Sequence, residues 1–410
     1  MTDDGSAIPA GPLAGIRVLE VGHFLAAPFA ARLLADYGAE VIKIEPPGDG
    51  DPLRALGPFA SGRSLWWSSL ARNKKCVTLD LRRHRGQELF LDLVSQSDAV
   101  IENFRVGQLE RWNIGWDRIH DVNPAATLVR ISGFGQTGPY RDRVAFAPTS
   151  EAFGGLRYLT RDPDAPNDRP AIRTSLSLGD SIAGLFASLG TLTAILSSRI
   201  GNRAGSCVDV AMYESIFALL ESTVSDYGAN QVVRAPAGSA VPNLAPSNSY
   251  RCADGTWACI TSTSNRLFAR LCEGIDRPEL ADDPRFHTNA TRVSNRRALD
   301  NLIAEWVRHR TYEEVESRLV AASVPVAKIF SIADCVEDAH YRYRRTIVEV
   351  PESDGSTTLQ PNIFPSFGNE DRPAIGWPGP ALGQHNAAVY EGILGLSREA
   401  RDSLAHDHVI

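Results

Sequence analysis

Three things are scarce in this 410-residue chain, and each scarcity removes a class of function. Positive charge does not dominate: 42 Lys and Arg stand against 49 Asp and Glu, a formal net charge of −7. Nucleic acid is therefore not expected as a partner, because phosphate contacts need a concentrated basic surface. The six cysteines, Cys76, Cys207, Cys252, Cys259, Cys272 and Cys335, form no CxxC pair and have no histidine at metal-ligand spacing. They read as reduced thiols of a cytoplasmic protein rather than a disulfide framework, and no metal is expected. Long apolar runs are also missing: none approaches 18 uninterrupted residues, and residues 1–15 are acidic and rich in Pro and Gly without an apolar targeting core. No membrane segment and no membrane partner are expected.

What is present is an ordinary globular composition, 43% hydrophobic and 22% charged, long enough for two or three domains. The first 135 residues alternate apolar strands with amphipathic helices. Strands are expected at Ile16–Val21, Val41–Glu45, Val77–Leu81, Ala99–Glu102 and Thr127–Ile131, with helices at Pro28–Tyr37 and Gln87–Ser95. Such βαβ alternation implies a parallel sheet covered on both faces. A long apolar helix over 180–197, a strand at Cys207–Ala211 and a helix at Glu214–Val224 continue it. The Pro-rich stretch 234–248 changes the texture. A hairpin at Tyr250–Trp257 with Asp254-Gly255 at its turn, then helices near Asn265–Gly274, Arg296–Val307 and Tyr312–Ala322, form a second unit. From Tyr341 short strands and Pro/Gly loops lead to a helix near Asn386–Leu394. The expected division is a large α/β domain from 1–225 and 341–410, a linker over 226–248, a small α+β domain over 249–331 and a return linker over 332–340.

Asp180 opens the long helix as its sole carboxylate, with serines before it and small residues after it. It fits two roles: an N-terminal capping acid, or a nucleophile that another molecule reaches because its neighbours are small. Gly133-Phe134-Gly135-Gln136-Thr137-Gly138 matches G-x-G-x-x-G after a strand, but Pro139-Tyr140 follows where a dinucleotide fold opens a helix. NAD is not expected, and the segment reads as a glycine loop over a site or as a tight turn. Arg82, Arg105 and Arg111 follow strand ends, where open parallel sheets bind ligands, so they form either an anion site or a solvated face. His23, at the mouth of the first strand, reads as a packed residue or a base. No G-x-S-x-G elbow occurs.

Taken together, Gly15–Glu20, Leu34-Ala35-Asp36-Tyr37-Gly38-Ala39-Glu40, Val41–Gly48, Asn73-Lys74-Lys75, Glu102-Asn103-Phe104, Gly133–Pro139, Gly179-Asp180, Asp283-Pro284-Arg285-Phe286 and Leu382-Gly383-Gln384-His385 resemble the class III CoA-transferases. That family holds formyl-CoA, carnitine-CoA and succinyl-CoA-dependent transferases and the related α-methylacyl-CoA racemases. The resemblance implies a large Rossmann-like domain built from both chain ends, a smaller α+β domain, and an interlocked homodimer. It implies Asp180 as catalytic nucleophile and coenzyme A as the substrate carried. CoA-binding segments of formyl-CoA transferase fall on Leu25-Ala26, Leu79-Asp80-Leu81-Arg82, Asn103-Phe104-Arg105, Arg111 and Val144-Ala145-Phe146-Ala147. Gly133, Gly135 and Gly138 are expected to cover the site and to stabilise oxyanions.

Three departures bear on the chemistry. Pro46 stands where formyl-CoA transferase has a basic residue that meets CoA, and the small domain lacks its glycine-rich covering loop, so formyl transfer is not expected. Phe146 stands where racemases carry a histidine, and it cannot titrate, which disfavours two-base racemisation. The expected activity is transfer of CoA from an acyl-CoA to a free carboxylic acid through an aspartyl anhydride and an aspartyl-CoA thioester. The alternatives are an acyl-CoA racemase or isomerase on the same scaffold, and a non-catalytic acyl-CoA binding protein.

Overall fold

A computed structural model describes residues 11–163, 169–367 and 374–410. The acidic start lies outside them as far as residue 10, as do parts of the loops expected at 154–172 and 341–380. The described residues form two compact units, one made of Met1–Leu156, Thr174–Ser225 and Tyr343–Ile410, the other of Arg157–Arg173 and Asp226–Arg342.

In the first unit six strands, β1 (Arg17–Glu20), β2 (Glu40–Glu45), β3 (Lys74–Thr78), β4 (Ala99–Glu102), β5 (Thr127–Ser132) and β6 (Cys207–Ala211), make one parallel sheet in the order β3-β2-β1-β4-β5-β6. This is the doubly wound order of dinucleotide-binding folds. Adjacent apolar residues of β1, β2, β4 and β5 feed opposite cores, which is why these strands carry apolar residues side by side. Leu19, Ile42 and Val100 join α2 (His84–Val94) and the C-terminal Val389, Tyr390 and Leu404 on one face. Val18, Val41 and Ile101 join α1 (Ala26–Asp36) and α5 (Leu178–Gly201) on the other. Between these helices come the short α3 (Gln108–Arg111) and α4 (Ala147–Phe153), and α6 (Met212–Phe217) follows β6.

The third strand begins at Lys74, not at Val77. Its two lysines are tolerated inside a sheet because each meets a carboxylate, Lys74 on Glu20 and Lys75 on Glu40, both at 2.6 Å. The returning C-terminus braces the end of this strand: Asn386 Oδ1 accepts the Thr78 N–H at 3.0 Å, and the Asp80 N–H donates to the Val409 carbonyl at 2.8 Å. The helix expected at Glu214–Val224 is broken into α6 and a second stretch, Thr223–Asn230.

By length and composition α5 could cross a bilayer, a test that core helices of globular domains also pass. One face packs on α1, where Gly184 lets the helices meet so closely that a Cβ there would come within 2.9 Å of the Ala26 carbonyl oxygen, and Ser188 Oγ donates to the Ala30 carbonyl at 3.0 Å. The opposite face carries Leu185, Leu189, Leu196 and Ile200, all exposed.

The second unit is an antiparallel sheet of β7 (Ser247–Arg251), β8 (Trp257–Thr261) and β9 (Val326–Lys328), ordered β9-β8-β7. Phe268, Leu271, Leu299, Ile303, Val315 and Leu319 fill its core from the helices Asn265–Gly274, Arg296–Val307 and Tyr312–Ala321. Gly255, at φ +83°, makes the expected turn between β7 and β8.

Candidate active site

From β1 the chain enters α1 on one face of the sheet, and from β4 it enters α3 on the other. The two strands are neighbours, so a crevice opens beyond their carboxyl ends, the place where open α/β sheets bind ligands. Asn103 bridges it, accepting the His23 N–H at 2.7 Å and donating to the His23 carbonyl at 2.8 Å. Gly22 makes this possible, since a Cβ there would lie 2.5 Å from Asn103 Oδ1 and 2.3 Å from Ala27 Cβ.

Beneath that loop lies a set of buried charges. Lys43 Nζ donates to Glu20 at 2.8 Å, to Asp51 at 2.7 Å and to the Gly22 carbonyl, and Lys74 Nζ donates to Glu20 at 2.6 Å and to the Pro28 carbonyl at 2.8 Å. Asp51 also accepts the Phe24 N–H at 3.1 Å. Burial pulls the Lys43 ammonium down, yet Asp51, Glu20 and Glu45 outweigh it and hold it above the ordinary lysine value. Burial pushes Asp51 up, and Lys43 outweighs that and holds it well below the usual carboxylate range. The net effect is a clamp on both sides of the first loop and on the start of α1.

A cavity of about 190 Å³ beyond the strand ends brings Leu79, Asp80, Leu81 and Arg82 together with Phe104, His23 and Pro46. The rings of His23, Phe104 and Trp112 meet edge to face at 5.1 and 5.2 Å, an apolar wall suited to a flat heterocycle. Arg82 is mostly exposed and grips Asp80 through two contacts at 2.7 and 3.0 Å, which hold that carboxyl below its usual range. Arg105 and Arg111 are exposed on the segment after β4 and do not line this cavity. Arg111 donates to Gln108 at 2.6 Å. The segment is fixed by Glu102, which accepts the Phe104 N–H at 2.6 Å and Arg130 at 2.8 Å, while Arg130 also grips Glu110 of α3 at 2.7 and 3.0 Å. Burial pushes the Glu102 carboxyl up to about 7 in spite of Arg130.

Asp180 is half-buried in the first turn of α5. Small residues surround that turn. A Cβ on Gly179 would come 2.9 Å from Ala147 Cα, and one on Gly133 would come 2.2 Å from Ala145 Cβ, so Ala145 abuts the glycine loop and Ala147 the start of α5. Ala26 meets Gly184, one turn beyond Asp180. Leu25 is half-buried at the cap of α1, and Phe146 and Val144 are exposed. The Gly179 N–H donates to Glu151, a buried carboxylate of α4, at 3.3 Å. In the glycine loop the Gly135 N–H is taken by Ser132 Oγ at 3.0 Å and the Gln136 N–H by Asp209 Oδ2 at 2.8 Å, so these two are already engaged. Gly138 is exposed, and the loop does not open a helix, since α4 begins only at Ala147.

His23 Nδ1 lies 3.8 Å from Asp51 and has no hydrogen-bond partner among the described residues. Lys43 and Glu102 enter the sequence reading only as members of motifs, without a site role, and Asp51, Arg130, Glu151 and Asp209 do not enter it. The available signal was a charge inside a strand buried on both faces, as at Lys43 and Glu102, where each must find a partner.

A doubly wound sheet with a crevice beyond its strand ends, lined by His23, Phe104, Trp112 and Arg82, is the arrangement in which α/β enzymes bind their ligands. The chain matches the CoA-transferase family III over residues 13–386 and belongs to that family. It is 43% identical to the succinyl-CoA–D-citramalate CoA-transferase of Chloroflexus aurantiacus over 98% of this chain and 99% of that one. It is 33% identical to the formyl-CoA:oxalate CoA-transferase of Streptomyces avermitilis, covering 97% and 99%. Among solved structures, a CAIB/BAIF family protein from Brucella suis superposes with a TM-score of 0.79 at 29% identity, over 93% of this chain and 99% of that one.

Proposed function

We propose that this enzyme moves CoA from a dicarboxylic acyl-CoA, succinyl-CoA first among them, to a free dicarboxylic acid of the citramalate or malate type, with Asp180 as covalent nucleophile. The observation that carries the reading is the packing of the helix start at Asp180: a half-buried carboxylate in the first turn of a 24-residue helix, next to Gly179, which packs on Ala147, and one turn before Gly184, which packs on Ala26. The first-turn N–H groups favour negative charge there. A carboxylate oxygen of Asp180 adds to the thioester carbonyl and the C–S bond breaks, giving a mixed anhydride and CoA thiolate. The thiolate then attacks the aspartyl carbonyl and releases the donor acid, leaving an aspartyl-CoA thioester. The acceptor carboxylate repeats both steps in reverse, and Asp180 is regenerated.

No step transfers a proton. A general acid or base is therefore dispensable, and Phe146 at the racemase histidine position costs the transferase nothing. In this reading the 190 Å³ cavity takes the adenine end of CoA against Phe104, with Arg82, Arg105 and Arg111 near its phosphates, which would relieve the missing base at Pro46. Leu25, Ala26 and Ala147 flank the pantetheine arm. The Gly133–Gly138 loop covers the reacting carbonyl, with Gly133 and Gly138 the positions whose N–H groups are not taken by Ser132 or Asp209. The test is hydroxylamine trapping during turnover with succinyl-CoA and a panel of dicarboxylic acids. An aspartyl hydroxamate at residue 180 supports the reading, and transfer without one sinks it.

The same reading includes an interlocked homodimer, supported by the stripe of Leu185, Leu189, Leu196 and Ile200 on the outer face of α5, an apolar surface of the kind that a partner covers. Interlocked chains stay dimeric on dilution to nanomolar concentration and separate only as they unfold. A folded monomer in sedimentation at any concentration would reject the interlock.

A further inference from the structure

We propose that Asp209 is a positioning residue for the Gly133–Gly138 loop, and that through this loop it sets how much activated acyl group is transferred and how much is lost to water. The proposal rests on the reading of Asp180 as covalent nucleophile. Asp209 stands on the edge strand β6, opposite Arg130 in the parallel register, with its side chain exposed. Its Oδ2 accepts the Gln136 N–H at 2.8 Å, a bond strengthened by the carboxylate charge. Gly135, at φ +86°, runs so near that a Cβ there would lie 3.4 Å from the same oxygen. A side chain at this position would be strained and would crowd the anchor.

Phe134 packs its ring on Tyr140, Phe153 and Tyr213, and two neutral hydrogen bonds hold the backbone on either side of it. Ser132 Oγ accepts the Gly135 N–H at 3.0 Å, and the Tyr213 N–H donates to the Gly133 carbonyl at 3.4 Å. Asp209 thus supplies the charged tether, next to the neutral one at Gly135. The Gln136 side chain adds a second observation: both its amide nitrogen and oxygen are shielded from water and have no hydrogen-bond partner among the described residues. Such an amide is unfavourable and gives the loop no reason to stay where it is. At Gln136 itself, the backbone bond to Asp209 is what holds the chain. Gly133 rests on Ala145, which is two residues from the Ala147 that packs on Gly179, so slack in the loop passes to the wall beside Asp180.

With the loop loosened, water reaches the mixed anhydride. Its oxygen adds to the acyl carbonyl, the C–O bond to Asp180 breaks and two carboxylates remain; of the two protons from water, one goes to the CoA thiolate, which leaves as the thiol, and the other to solvent. The experiment compares wild type, Asp209→Ala and Asp209→Asn with succinyl-CoA and an acceptor acid. Free thiol and product acyl-CoA are measured side by side. Asp209→Ala is expected to raise the ratio of hydrolysis to transfer by about tenfold. Asp209→Asn keeps a side-chain oxygen that accepts from Gln136 and should stay within about threefold of wild type.

An unchanged ratio in Asp209→Ala, with transfer intact, overturns the proposal and leaves the role of Asp180 standing. If that variant does not fold, Asp209→Ser carries the same expectation, because its hydroxyl is too short to reach the Gln136 N–H. A wild-type enzyme that neither transfers CoA nor forms an adduct at Asp180 overturns both the proposal and the reading beneath it.

Discussion

Two carboxylate regions of the first unit are built on opposite principles. Under the first loop, Glu20 and Asp51 are wholly shut away from water, and Lys43 and Lys74 neutralise them through contacts of 2.6–2.8 Å. At the start of α5, Asp180 is half-buried, ringed by glycine and alanine, beside a loop whose Gln136 amide has no partner among the described residues. Desolvating four charges is expensive, and only a fully paired network repays it. What the network holds is the backbone of Gly22, Phe24 and Pro28, which positions the first turn of α1 against Gly184. One region is saturated with charge pairs that hold the backbone beneath the strand ends, and the other sets a half-buried carboxylate at a helix start packed on glycine and alanine.

The contrast predicts opposite failures. Asp180→Ala should lower CoA transfer by more than about a thousandfold, as removal of a covalent nucleophile does. Its cost in stability should be only about 0.5–2 kcal/mol, the worth of a helix-start acid. Steady-state rates and a thermal melt check both halves, and more than a few per cent of residual transfer would return Asp180 to a capping role. Lys43→Met should do the reverse, destabilising by about 3–5 kcal/mol because two buried carboxylates lose their common cation.

The same variant should alter the acid limb. Asp51 has a depressed pKa when folded, so the stability it contributes is present above the unfolded value of about 4 and is lost as pH falls below it. Without Lys43 that depression weakens, and denaturation midpoints should fall less steeply between about pH 4 and pH 2 in the variant than in wild type. Equal slopes would mean that Lys43 is not what holds Asp51 ionised.

The sheet was legible in the sequence because strands buried on both faces of a parallel sheet must be continuously apolar, as in Val18-Leu19 and Val100-Ile101. Asp180 stood out because a lone acid in an apolar helix has few roles. The buried network was not legible: Asp51 lies in the loop after β2, and nothing local shows that Lys43 points to it rather than to water. Asp209 was hidden for a similar reason. An acid on an edge strand looks solvated until the loop from the neighbouring strand is seen to land on it.

Between the locked region and the open one lies the cavity at the strand ends, and there the smallest effects are expected. Arg82 and Arg111 are exposed, so each should contribute about 1 kcal/mol or less to holding phosphates, or about three- to fivefold in KM for acyl-CoA, with kcat nearly unchanged. The two should nevertheless differ. Arg111 gives up a hydrogen bond to Gln108, whereas Arg82→Ala also takes from Asp80 its nearer cation and leaves that carboxylate with Arg83 alone at 3.6 Å. Arg82→Ala should therefore raise KM more than Arg111→Ala, and Asp80→Asn combined with it should recover part of the loss. Raising ionic strength should shrink all three differences, since screening acts on exposed charges first. If KM is unmoved by either arginine at low salt, they form a solvated face, and the phosphate contacts must be sought on another side of the crevice.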